Sequence, residues 1–183
     1  MNRKGLMIGA ALAAAVTASA LAADKPAPAP AVANPPPART LGSEGAWTAY
    51  VSEDRTGKVC YLVGQPAKSL PASLHRQASA MVTHRPQENI ANVVSFVEGV
   101  PLKDGSDVTL TIGKREFKLI TKNDAAWAST SDLDKEIVMT LAKARDVVAK
   151  GIPQRGPATS DTYSLAGFAK TLSLIDQACG VKR

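Results

Sequence analysis

Few residues in this chain of 183 could do chemistry: two histidines, His75 and His84, and two cysteines, Cys60 and Cys179. Histidine is the usual acid–base group near neutral pH. A Ser/His/Asp relay, however, needs its nucleophile on a strained turn, and no Gly-x-Ser-x-Gly occurs. Both histidines fall among strand-edge or loop residues and read as solvated or structural. The four side chains are zinc ligands by type but not by spacing, since neither cysteine belongs to a close pair and the histidines are not grouped on one turn. The lack of Cys-x-x-Cys also removes a thioredoxin-like redox role.

Two other patterns imitate sites. Gly151-Ile-Pro-Gln-Arg-Gly156 begins like a phosphate loop, then continues Pro157-Ala158 where Lys and Ser/Thr should stand. The acid pairs Asp132/Asp134 and Glu53/Asp54 sit at a helix start and in a turn, where carboxylates are ordinary. No catalytic residue, cofactor or metal is therefore expected, and the chain does not read as an enzyme. The alternatives are a periplasmic hydrolase using an acid with His75 or His84, and a purely structural envelope domain. Trp47, Tyr61 and Trp127 are the candidate partner-binding residues if their rings are exposed; buried, the two tryptophans would fill a core short of aromatics.

The elements that must position these residues are mostly strands. Trp47–Glu53 and Lys58–Val63 alternate around an Asp54-Arg-Thr-Gly57 loop, placing Trp47, Ala49 and Val51 on one face. Arg76–Thr83, Ile90–Val97, Asp107–Ile112, Arg115–Thr121 and a short stretch near Trp127 follow. Gly113-Lys114 suits a two-residue hairpin loop. Asp132–Ala144 changes period, with Leu133, Ile137 and Leu141 four apart behind a Ser131 or Asp132 cap, and predicts a helix. Val147-Val148 predicts one more strand. Near the end, Leu165, Phe168, Leu172, Ile175 and Cys179 form one helical stripe between Ser164 as N-cap and Gly180 as terminator. The expected fold is mainly β: an antiparallel sandwich or curled sheet with two helices.

The N-terminus reads as processing signal and spacer. Basic Met1-Asn-Arg-Lys4, an alanine-rich apolar run and Ala20-Leu-Ala22 predict a signal peptide over residues 1–23. The apolar run falls short of the ~20 residues needed to span a bilayer, so no transmembrane span is expected after cleavage. Residues 24–40 are Pro/Ala-rich and predict an extended spacer; the globular domain is assigned to residues 41–183. Export makes oxidation of Cys60 with Cys179 the favoured state, tethering the C-terminal helix to an early strand. Two buried free thiols are the alternative. The net charge of +6 includes Arg3 and Lys4. What remains is dispersed among acids with few aromatics, which does not describe a nucleic-acid binder.

Several pieces in order give the chain a family likeness. Trp47, Cys60-Tyr61-Leu62, Trp127 ahead of the acid-led helix, then Arg155-Gly156, Asp161, Tyr163-Ser164-Leu165, Gly167-Phe168 and Cys179 run through nearly the whole domain. In these the chain resembles the invasion-associated locus B family of exported alphaproteobacterial proteins. Pro157 stands where a small hydroxyl residue would be expected. The resemblance implies a periplasmic or outer-membrane-associated β-rich domain held by a disulfide, without known catalysis. Its implied partner is a protein or envelope component, and in pathogens the host-cell surface. It implies no active-site residues. On physical grounds Gly156 and Pro157 shape a turn, Asp161 or Ser164 caps the last helix, and Tyr163 packs at its base.

Overall fold

The computed structural model describes residues 37–183. The expected signal peptide and nearly all of the expected spacer lie outside them. In chain order the elements are β1 (Arg39–Glu44), β2 (Trp47–Asp54), β3 (Gly57–Gly64), β4 (Lys68–Leu70), β5 (Ser79–Arg85), β6 (Ile90–Val97), β7 (Asp107–Ile112), β8 (Arg115–Lys122) and β9 (Ala125–Trp127). Then come α1 (Ser131–Leu141), β10 (Asp146–Gly151), β11 (Thr159–Ser164) and α2 (Phe168–Cys179). The strands form one sheet in the order β1-β2-β3-β5-β6-β9-β8-β7-β10-β11-β4, antiparallel throughout. The mainly-β expectation with two helices holds, and of its two forms the molecule adopts the curled sheet.

The curl follows from where the apolar residues point. Alternation puts Trp47, Ala49, Cys60, Leu62, Val82, Phe96, Leu110, Leu119 and Tyr163 on one face, all within the core. Strands near opposite ends of the sheet then meet across it. The Trp47 ring lies 6.4 Å from Tyr163 of β11 and edge-on to Phe168 of α2 at 4.9 Å. Trp47 Nε1 donates to the Ser164 carbonyl at 2.8 Å. Gly64 has no Cβ because one would lie 2.4 Å from the Trp47 ring.

Both helices bury their stripes on this inner face. In α1, Thr130 rather than Ser131 or Asp132 is the cap, its Oγ1 accepting the Leu133 N–H at 3.2 Å. Asp134 is buried instead, and takes the Val94 N–H at 2.7 Å beyond the point where β9 stops pairing with β6. The other helix, α2, ends as expected at Gly180 (φ +69°), with Gly180 N–H bonded to Gln177 O and Val181 N–H to Asp176 O.

The start of α2 differs from the sequence reading. It begins at Phe168 behind Gly167 (φ +88°), without a side-chain cap, so neither Asp161 nor Ser164 caps it. Thr159–Ser164 is a strand, paired along the whole of β10. Its hydroxyl-rich sequence hides an alternation in which Thr159, Asp161 and Tyr163 are buried. Tyr163 packs edge-on against Phe96 of β6 at 5.5 Å across the core. Likewise the strand expected from Arg76 begins at Ser79, because Arg76 turns inward to an ion pair. Arg39 and Thr40, assigned to the spacer, are already in β1.

Candidate functional site

Two polar clusters lie within the fold, and both are buried, with Arg76 Nε and Glu98 Oε1 of the first left without a hydrogen-bond partner among the described residues. In the first, Arg76 forks onto Asp161, with Nη1–Oδ2 and Nη2–Oδ1 both 2.6 Å. Nη1 also donates to the Glu98 carbonyl at 2.8 Å and Nη2 to the Leu70 carbonyl at 3.1 Å. Thr159 Oγ1 donates to Glu98 Oε2 at 2.6 Å and accepts the Gly151 N–H at 3.1 Å. Burial holds the Glu98 carboxyl above its usual range, against the Thr159 hydrogen bond, with the Asp161 charge adding to the rise. The Arg76, Glu98 and Asp161 side chains have 1% exposure or less. A guanidinium with no path to solvent ties β4, β11 and the end of β6 together; it cannot meet a substrate.

The second cluster adjoins the disulfide. His84 is fully buried on the inner face of β5, and its Nδ1 accepts the Asn92 N–H at 2.9 Å. The proton therefore sits on Nε2, which donates to Asp176 Oδ1 at 2.9 Å. Arg183 closes the other side of Asp176 through Nε at 2.5 Å and Nη2 at 2.7 Å. Burial alone would raise the Asp176 carboxyl, but the His84 and Arg183 hydrogen bonds outweigh it and hold it below the usual range. With both ring nitrogens engaged, His84 has none left to activate a nucleophile. His75 lies before the opposite end of β5, on an exposed turn, with Nδ1 3.0 Å from the Ser73 carbonyl. The fold does not bring the two histidines together.

Cys60 and Cys179 are joined, with Cα atoms 6.1 Å apart. Among the cluster members, Arg76, Glu98, Asp176 and Arg183 escaped the sequence reading as site residues, although for Glu98 one signal was present. Extending the inward parity of Val94 and Phe96 reaches Glu98, and that of Tyr163 reaches Asp161, marking two buried acids in need of a cation. Among the described residues no group of three His, Cys, Asp or Glu side chains is placed to hold a metal. A surface groove of ≈ 480 Å³ between the β7–β8 turn and α1 is lined by Ile112, Arg115, Glu136, Met139, Thr140 and Lys143. Of its charged groups, Arg115 and Glu136 pair with each other, leaving Lys143.

The outward face of the sheet is different. Register places Thr48, Val63, Met81, Ser95, Trp127 and Ile120 in one cross-strand row from β2 to β8. Beside it Tyr50 and Tyr61 face each other and stack at 5.2 Å. These side chains are half-buried, and Ile120 is 54% exposed. Across β7, β10 and β11 the same face carries Thr109, Thr111, Lys150, Ser160 and Thr162 and is mostly polar, with Val148 among them. Of the three aromatic candidates for partner contact, Tyr61 and Trp127 thus share the apolar half of this face. Trp47 does not: it is 1% exposed, on the opposite face, and belongs to the core because alternation points it inward.

The motif residues near the C-terminus divide similarly. Leu165 and Phe168 are core, Arg155 and Gly156 (φ +89°) lie in an exposed turn, and Gly167 passes so close to Glu44 that a Cβ would lie 2.4 Å from its carbonyl oxygen. Among the described residues no helix is long and apolar enough to cross a membrane.

Comparison with known proteins agrees with this architecture. No curated protein sequence matches the chain significantly. The crystal structure of invasion associated protein B from Bartonella henselae superposes with a TM-score of 0.56 at 15% identity, covering 76% of this chain and 96% of that one. At that identity the likeness concerns the fold. The family model described as invasion associated locus B (IalB) protein matches residues 47–176. That match takes in every strand of the sheet but β1 and most of α2, and the chain belongs to the invasion associated locus B family.

Proposed function

We propose that this is an exported, non-enzymatic envelope protein that binds a macromolecular partner through the apolar half of its outward sheet face. The observation that carries the reading is the row Val63–Met81–Ser95–Trp127–Ile120, apolar but for Ser95, with the stacked Tyr50 and Tyr61 beside it. Apolar and aromatic surface gathered on one sheet face is what a protein interface uses. The burial of both clusters supports the non-enzymatic part, since the Arg76, Glu98 and Asp161 side chains are at most 1% exposed and both His84 ring nitrogens are engaged within the fold. Family membership and the basic, apolar N-terminus support export to the periplasm or outer membrane. The partner is a protein or other envelope component, and in an invasive organism a host-cell surface.

The test compares capture of partners from envelope extract by the native chain, by Tyr61→Ala with Trp127→Ala, and by His75→Ala with His84→Asn. The first pair should abolish a specific partner while the histidine variants retain it. Retention after loss of the aromatic pair removes this face from the reading; loss of an envelope phenotype with the histidine variants alone would favour catalysis.

A further inference from the structure

One end of the sheet is left open. The other terminal strand, β4, has only three residues, and its Leu70 carbonyl is taken by Arg76. By contrast β1 spans six residues, is largely exposed, and pairs with β2 on one side only. No other described residue takes its backbone between Arg39 and Ser43. Such an edge templates another strand unless something blunts it.

The chemistry of β1 says which strand. Its register against β2 contains a bulge: Thr40 faces Tyr50, Gly42 faces Ala49, and Leu41 is the extra residue. In a regular strand Arg39 and Glu44, five apart, would point to opposite faces. The extra residue shifts the parity, so Arg39 lies opposite inward Val51 and Glu44 opposite inward Trp47, while Thr40 and Ser43 point outward. The strand thereby becomes symmetric about its bulge. Laid antiparallel on a second copy, Arg39 meets Glu44, Thr40 meets Ser43, and Leu41-Gly42 meets itself, each pair on one face. Arg39 makes no ion pair among the described residues. Glu44 has an exposed surface pair with Lys170, through Oε2 at 2.7 Å, which leaves Oε1 available.

We propose that β1 seats a second copy of this chain, antiparallel and centred on Leu41-Gly42, so that the sheet runs through a two-fold axis into the partner. Self-complementary patches are what a two-fold interface requires, and strand addition satisfies the open backbone groups. The axis stands perpendicular to the sheet, so both outward faces point the same way. The inference does not rest on the partner reading above, and would make any such surface bivalent.

The test is sedimentation velocity of the purified full chain over a concentration series. The native chain should form dimers. Arg39→Glu and Glu44→Arg each set like charges opposite one another twice per dimer and should weaken it by about ten- to thirtyfold. An equimolar mixture of the two variants restores both opposite-charge pairs and should recover dimers at the native concentration. Circular dichroism should match across all three, because both positions are exposed. A native chain that stays monomeric overturns the proposal, as it would if this edge received a strand of another protein. A dimer indifferent to both charge reversals, or variants that fail to recover on mixing, overturns it equally.

Discussion

Replacing Cys60 and Cys179 together by alanine tests the covalent tie between the two ends of the domain. The bond closes a separation of 119 residues. On the chain-entropy account, a loop of this size restricts the unfolded ensemble by about 5 kcal/mol at 25 °C, and measured losses usually fall somewhat short. The folded state contributes less to the change, because Phe168, Leu172 and Ile175 keep α2 docked on the inner face without the sulfurs. A loss of about 3–5 kcal/mol is therefore expected, acting mainly through the unfolded chain. Urea unfolding followed by tryptophan fluorescence is a suitable assay, since Trp47 is 1% exposed and packed edge-on against Phe168. Two signatures should appear together: a lower midpoint, and a larger dependence on urea, because an unfolded chain free of the loop exposes more surface. Native protein unfolded with reductant should match the variant. A loss below about 1 kcal/mol with an unchanged urea dependence would refute the reasoning.

Three other outcomes follow from the same structure. Arg76→Met should cost about 3–5 kcal/mol by stranding Asp161 and Glu98, and combining it with Asp161→Asn should cost less than the sum, as a double-mutant cycle in thermal unfolding would read. Burial raises the Asp134 carboxyl to about 6, against the hydrogen bond it takes from Val94. The folded state then holds this proton more tightly than the unfolded one, so its contribution is complete below pH ~4 and lost as pH rises through ~6; Asp134→Asn should flatten that slope and gain about 1 kcal/mol at pH 7. Trp47→Ala should cost about 3–5 kcal/mol and Trp127→Ala about 1 or less in urea unfolding; equal losses would contradict their placement on opposite faces.

Much of the fold was legible because period-two alternation and turn chemistry are local. Val108, Leu110 and Ile112 answering Phe117 and Leu119 across Gly113-Lys114 needed no distant contact to be read, nor did the stripe of α2 or its Gly180 terminator. Where a strand's inward positions are polar, the local signal inverts. Thr159–Ser164 reads as a turn and helix cap, and only the Arg76 guanidinium, brought from 85 positions away, makes Asp161 tolerable inside. The bulge at Leu41 belongs to the same class: nothing in Arg-Thr-Leu-Gly-Ser-Glu announces it, while pairing with β2 imposes it.

The candidate surface shows the same division. Tyr61 and Trp127 were recognisable as aromatic residues on strands, but their common face depends on a register running through β5, β6 and β9, which sequence distance cannot encode. Composition and periodicity by themselves determined an antiparallel β domain with two helices, and two cysteines favoured a tie that the structure shows. Which rings face water, which charges are sealed, and which edge stays open were decided by the curl of the sheet, because burial is a property of elements meeting across space.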